Sequence, residues 1–508
     1  MAADLDRPLI LLLLSTQRSR IVVARILFLA ILCSFLFQTS CISPKKTPNL
    51  ARVFAEVRAK TGKRPVIVIP GMLGSQLINS KTGEQDWPAV FRSNDDGSSL
   101  PMSPDLTANR DDLVAGKIVD TLRLGKLLPE VHVYRDLLQT LRDFAGYTEG
   151  DWNNPAVHGD RDTYYVFTYD WRGDNVESAR ELARRISDLK TKLNRPDLRF
   201  NIVAHSMGGL IARYTAMYGD ADLPPAGSTV QPTWAGAAHI AKIVMIGVPN
   251  EGSADAFATL LYGYSITEGL RRRVPLLNKL TAEDAITSPA LFQLLPHPTA
   301  TRFLDEELRP VSVDLYDPEV WKRFGWSVLN DSEYRKRYSS GQVGSVNGRT
   351  PEERLANLDL YFAAVLLRAK AFHQALDVIE TMQPPVSLLA VGGDCEETLN
   401  APVLLKDKHG RWITLIRPKE YKTLSGKRIS KREVTEAMYA PGDGRVTRRS
   451  LLGEDLVLPQ NSPMEFRKFR SPLAISHAVF ICDLHGQLQR NPVLQDNALT
   501  ALVNEVVR

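Results

Sequence analysis

An α/β fold built on a mostly parallel sheet is what this sequence predicts, and three observations carry it. Arg199 to Met217, RFNIVAHSMGGLIARYTAM, runs from a short apolar strand through a Ser flanked by small residues into a pattern where Leu210, Ile211, Tyr214 and Met217 recur at helical spacing. Ile240 to Val248, IAKIVMIGV, is a nearly continuous apolar run, as expected of a parallel strand buried on both faces. Strand and helix patterns then alternate along the chain, which is the order that generates a parallel sheet.

With 508 residues, 44% hydrophobic and 24% charged, the chain has room for one large domain with insertions, or for two domains. The net charge is +5, and Arg7, Arg18, Arg20, Arg25, Lys45 and Lys46 near the N-terminus face only Asp4 and Asp6. The body is therefore near neutral on average, and a nucleic-acid partner is not expected. Arg18, Arg20 and Arg25 precede the apolar Ile26 to Phe37, and the small polar run Gln38-Thr39-Ser40-Cys41 follows. This is the order of a secretory leader over residues 1–41. Its apolar run is shorter than a membrane span, with a retained N-terminal anchor as the alternative, to which the Leu9 to Leu14 run adds. Cys41 resembles the lipidated Cys of a bacterial lipoprotein site, although Gln38 stands where such sites usually carry Leu. The expectation is an exported protein, secreted or held in the bacterial cell envelope, periplasmic or lipid-anchored.

The first part of the core spans 60–250. Pro65 to Pro70, PVIVIP, reads as a strand, and the Gly-rich Gly71-Met72-Leu73-Gly74-Ser75 follows it. Polar residues dominate 79–160, a surface excursion with a weak helix near Val133 to Phe144. Thr163 to Tyr169 is an aromatic and β-branched strand ending in Asp170-Trp171-Arg172, and Glu177 to Leu193 is a helix stopped by Asn194-Arg195-Pro196. Strand patterns vanish over 251–385 in favour of a basic run at Arg271 to Arg273, aromatics such as Trp321 and Trp326, and a long amphipathic stretch from Leu355 to Met382. That segment is read as a mostly helical cap or lid. The second part of the core, 386–508, opens with the strand Val386 to Val391, passes through a Lys-rich excursion from Lys406 to Arg432, and closes with a strand and a terminal helix.

Ala204-His205-Ser206-Met207-Gly208 matches the G-x-S-x-G nucleophile elbow with Ala in the first Gly position, and its strand-turn-helix context is what the elbow requires. A Ser hydroxyl becomes a nucleophile only when a His takes its proton, and a carboxylate holds that His in the right tautomer. On such folds the acid and then the His follow the Ser in the chain, each on a loop after a strand. Asp443, flanked by Gly442 and Gly444, is the favoured acid, with Asp394 as its rival. His485, between the last strand and the last helix, is the favoured base, with His477 as the alternative, and His205 is read as packing under the elbow. The loop after the first strand either supplies a backbone N–H to an oxyanion hole or is an ordinary tight turn. Cys395 and Cys482 follow two strand ends and form a candidate disulfide in an oxidising compartment, with buried free thiols as the alternative. No spacing of Cys or His suggests a metal, and no cofactor is expected.

PVIVIPGMLGSQL, YDWRGD, VAHSMGGLIARY, IGVPNEGS, FQLLP and GDGRVTRRSL, in that order from about Pro65 onward, resemble the lecithin:cholesterol acyltransferase family of α/β-hydrolases. That family includes lysosomal phospholipase A2 and phospholipid:diacylglycerol acyltransferases. The resemblance implies cleavage of acyl esters through an acyl-enzyme on Ser206, with Asp443 as the acid and the backbone N–H groups of Met72 and Met207 as the oxyanion hole. For the base it leaves both His485 and His477 open. The expected function is a serine esterase on lipid acyl esters, a phospholipase A or lipase meeting its substrate at a membrane surface, with an acyltransferase as the alternative. Cleavage of peptide or polyester bonds, and a non-catalytic lipid-binding protein on the same fold, are the competing readings. The oligomeric state is left open.

Overall fold

At the centre of a computed structural model of the chain lie seven strands, every neighbouring pair parallel. They are β1 (Val66–Ile69), β2 (Thr148–Glu149), β3 (Thr163–Val166), β4 (Phe200–His205), β5 (Ile240–Ile246), β6 (Ser387–Gly393) and β7 (Ile475–Ile481). The structure describes residues 47–88, 98–123, 130–225, 230–265, 279–298, 302–343, 347–378, 384–454 and 473–503. The leader, Cys41 and the run Arg271 to Arg273 lie outside them.

Across the sheet the strands stand in the order β7-β6-β5-β4-β1-β3-β2. From β1 the chain crosses to β2 at the sheet edge, comes back to β3 beside β1, and then places β4 on the other side of β1, so β1 and β4 form a topological switch point. In open α/β sheets, sites form at the carboxyl ends of the strands beside such a switch. The expected α/β architecture is thus borne out. Alternate residues of each strand face opposite ways: Ile67, Ile69, Ile202 and Ile243 join one apolar core, and Val66, Val68, Val203 and Val244 the other. Burial on both faces explains the continuous apolar runs in the sequence.

The helices that cover the two faces are α1 (Arg135–Asp143), α2 (Asn175–Lys192), α3 (Met207–Tyr218) and α6 (Pro492–Val503), with α4 (Ala254–Tyr262) and the 26-residue α5 (Pro351–Leu376) in the 251–385 segment. Leu182, Leu189, Leu210 and Tyr214 pack α2 and α3 on one face, while Leu137, Leu141, Leu494 and Leu502 pack α1 and α6 on the other.

The polar segment after β1 is more deeply built in than its composition suggests. Ser75–Asn79, Gln85–Trp87 and Leu113–Ile118 form a three-stranded antiparallel sheet, and Trp87 is fully buried. The Trp87 indole N–H donates to the Leu73 carbonyl at 2.9 Å, and its ring meets Trp171 edge-on at 5.6 Å. Arg172, also fully buried, forks onto Asp111 at 2.7 and 2.8 Å and onto Asp170 at 2.8 and 3.0 Å. Burial alone lowers its pKa, but the two carboxylates outweigh that and hold it above the usual guanidinium value.

Candidate active site

The elbow forms as the sequence predicts. β4 ends at His205, Ser206 takes φ 53° and ψ −128°, and α3 begins at Met207. A positive φ at a non-glycine residue is strained, and here the Ser206 N–H is pinned by a 2.8 Å bond to the Ile246 carbonyl. Small neighbours are required by contact rather than by habit: a Cβ on Gly209 would stand 2.1 Å from Val248 Cγ2, and one on Gly208 would stand 2.5 Å from the Pro70 carbonyl oxygen.

His485 opens the turn that follows β7, and its Nε2 lies 2.9 Å from Ser206 Oγ. Its Nδ1 lies 2.8 Å from Asp443 Oδ2, and since a carboxylate only accepts, Nδ1 carries the proton and Nε2 accepts from the Ser hydroxyl. Asp443 is almost fully buried, and its other oxygen accepts from the Arg445 and Val446 N–H groups at 3.0 and 2.7 Å. The His485 N–H in turn donates to the Asp443 carbonyl at 2.8 Å. Gly247, at φ 57°, lies directly against the pair: a Cβ there would be 3.1 Å from both Asp443 Oδ2 and His485 Nδ1.

The rival residues fall elsewhere. Asp394 is a third exposed, its nearest cation Arg448 at 3.8 Å. His477 lies inside β7 rather than ahead of it, paired in register with Leu389 and exposed to solvent. Cys395 and Cys482 are joined, with Cα atoms 5.3 Å apart, tying the end of β6 to the end of β7 close to both Asp394 and His485. Met72 lines the same cavity as Ser206, while Met207 is buried at the first position of α3, where helix amides lack intrahelical acceptors. Among the described residues no acceptor takes up the Met72 N–H. Gly71 presses on the nucleophile closely enough that a Cβ would be 2.8 Å from Ser206 Cβ.

Sequence reasoning missed what stands behind this line. Tyr134, from the segment read as a surface excursion, accepts from the Gly71 N–H at 2.8 Å and donates its own proton to His205 Nδ1 at 2.8 Å. The opposite nitrogen of His205 donates to the His485 carbonyl at 3.2 Å. This chain requires a neutral His205, and burial, aided by the neighbouring His485, pushes its pKa down to about 3. Burial also raises the Tyr134 phenol well above its usual value, so neither group titrates near neutrality. No motif marks Tyr134 in the sequence.

A cavity of about 440 Å³ opens over Ser206 and His485. Leu122, Val119, Leu291, Leu294, Ala256 and Leu484 give it apolar walls. Its polar wall includes Arg445, which pairs with Asp255 at 2.6 Å and stacks over Tyr264 at 4.2 Å, and Arg490, which pairs with Asp136 at 3.2 Å.

Residues 120–329 match the family model described as lecithin:cholesterol acyltransferase. The resemblance read from the motifs holds. The matched span contains the elbow, IGVPNEGS and FQLLP, whereas Gly71, Asp443 and His485 lie outside it. Among solved structures, the Tle4-Tli4 complex aligns with TM-score 0.52 and 13% identity over 87% of this chain and 98% of that one. Bacillus licheniformis lipase BlEst2 in mature form aligns at 0.31 and 11% over 87% and 92%, and EstA from Clostridium botulinum at 0.32 and 12% over 91% and 92%. Of these, only the first is near enough to bear on the fold. A search of curated proteins returned no match. The parallel sheet with its elbow at the switch point makes this an α/β-hydrolase fold, and the family match supports an acyl-ester hydrolase or acyltransferase.

Proposed function

We propose that this chain is a serine esterase acting on lipid acyl esters, of phospholipase A or lipase type. The observation that carries the reading is the hydrogen-bonded line from Ser206 Oγ through the His485 ring to Asp443, ending in an apolar cavity. Ser206 Oγ attacks the ester carbonyl as its proton passes to His485 Nε2. The oxyanion is held by the Met72 and Met207 N–H groups. Asp443 keeps the proton on Nδ1 and stabilises the imidazolium, which then gives its Nε2 proton to the departing alcohol. An acyl group remains on Ser206. Water, deprotonated by the same nitrogen, releases the carboxylic acid and restores the hydroxyl.

Transfer to an alcohol instead of water uses the same acyl-enzyme and is the alternative outcome. Which acceptor wins depends on whether the residues over the cavity exclude water. We also propose export to the cell envelope or beyond, supported by the leader pattern and by a disulfide, which persists in oxidising compartments.

Hydrolysis of a series of ester substrates by the full-length chain and its Ser206→Ala variant tests the reading. Turnover of long-chain acyl esters that falls by about 10⁴-fold or more in the variant is expected. A parent that is folded and inactive on every ester in the series would instead favour a non-catalytic binding role.

A further inference from the structure

The near-neutral average of the body conceals a segregated charge. Between 406 and 432 ten Lys and Arg accompany only two Asp and Glu, a net +8 in a chain whose total is +5. All ten basic side chains are exposed. Arg411 pairs with Asp407, Arg428 with Glu420 and Arg432 with Glu436, each on the surface, while Lys408, Arg417, Lys419, Lys422, Lys427 and Lys431 have no ion pair among the described residues.

Apolar side chains stand out of the same segment. It is built as two hairpins, Val403–Lys406 with Trp412–Leu415 and Tyr421–Lys422 with Arg428–Ile429. Trp412 and Ile413 lie on an edge strand, 37% and 43% exposed, and Leu424 at the tip of the second hairpin is 66% exposed. Lys406 sits 4.7 Å over the Trp412 ring, and Trp412 meets Phe324 at 4.8 Å. Trp412, Ile413, Phe324 and Tyr262 line one surface recess. Tyr262 ends α4, whose Ala256 line the catalytic cavity about 9 Å back along the same helix.

We propose that the 406–432 hairpins and this recess form a docking surface for an anionic lipid bilayer, with Trp412, Ile413 and Leu424 entering the interface. Exposed Lys and Arg are each drawn to an anionic leaflet, and Trp settles at headgroup level. Exposed aliphatic side chains add a contact that a nucleic-acid backbone does not reward. The partner rests on the lipid-ester reading above, whereas the charge and the exposure do not.

Co-sedimentation of the full-length chain with vesicles tests it, comparing pure phosphatidylcholine with vesicles in which roughly one third is phosphatidylglycerol. Binding to the anionic vesicles should be tighter by about tenfold or more and should weaken with added salt. Replacing Lys419, Lys422, Lys427 and Lys431 by Gln should remove that preference, and Trp412→Ala should weaken binding in the low-salt condition. Replacing Lys60, Lys81 and Lys117 by Gln, exposed on elements that do not border this recess, should leave it intact. Preference that survives the four changes, falls equally in the control set, or is exceeded by affinity for duplex DNA would overturn the proposal. Ser206→Ala should bind as the parent does. Binding by a parent that hydrolyses no ester would support the surface and unseat only the reading of the catalytic site.

Discussion

Asp443 with His485 and Asp377 with His297 are built alike, each His offering Nδ1 to a carboxylate, at 2.8 and 2.6 Å. Their second sides differ. His485 turns Nε2 to a Ser hydroxyl at 2.9 Å and borders a cavity, whereas His297 is wholly buried and stacks on His373 with ring centres 3.9 Å apart. His373 is itself fixed, its Nε2 lying 2.9 Å from the Gln293 carbonyl and its Nδ1 2.5 Å from the Tyr316 hydroxyl. The pair in the 251–385 segment joins α5 to the turn after Phe292, and the pair at the strand ends faces the place where a substrate would lie. An Asp–His pair becomes a candidate base only through what the strained elbow and the open cavity set before it.

Replacing each Asp by Asn should separate the two pairs most widely. Asp443→Asn is expected to lower kcat by about 10⁴-fold, because the amide no longer enforces the tautomer, beside a stability cost no smaller than that of Asp377→Asn. Asp377→Asn should leave kcat within about threefold and cost stability, on the order of 1.5–3 kcal/mol for a buried hydrogen bond to a charged group. Esterase kinetics and thermal melts on both variants check this, and equal losses of kcat would erase the distinction.

A smaller effect is expected behind the site. Tyr134→Phe leaves the Gly71 N–H without its acceptor and His205 without its donor, so the loop after β1 and the His485 backbone lose a shared support. We expect kcat to fall by about ten- to a hundredfold with KM little changed. Unaltered kcat would show that the Tyr134–His205 line does not position the base.

The smallest effect is one of pH on stability. His205 is held neutral by burial with a pKa of about 3, below its value in the unfolded chain. Between those values the unfolded state binds more protons, so stability rises with pH there. The contribution is complete above about pH 6.5 and is lost as pH falls toward about 3. His373, also pushed down by burial, acts in the same direction. Urea melts of the parent and His205→Gln should show a shallower pH dependence over that window in the variant, and parallel curves would contradict the assignment.

The elbow, the strands around it and the order of Ser206, Asp443 and His485 were legible because each rests on local pattern: apolar period, glycines beside a turn, a His after a last strand. Tyr134 was not, since nothing local distinguishes a tyrosine that crosses beneath β1 from one at a surface. Polarity likewise misdirects the reading of 79–160, whose Trp87 is fully buried and whose Asp111 reaches the fully buried Arg172 beyond that segment. His485 was marked by its place after the last strand, whereas the strand start at Ile475, which sets His477 inside β7, was not legible. The charge of 406–432 was visible, but averaging over the chain hid its segregation.

The most direct test of the account is covalent labelling of the folded, full-length chain with a fluorophosphonate, in detergent, followed by peptide mass spectrometry. An activated Ser206 predicts a single adduct on the peptide carrying it, retained in His477→Ala and lost in His485→Ala. No adduct in the folded parent, or one as abundant in His485→Ala as in the parent, would contradict it.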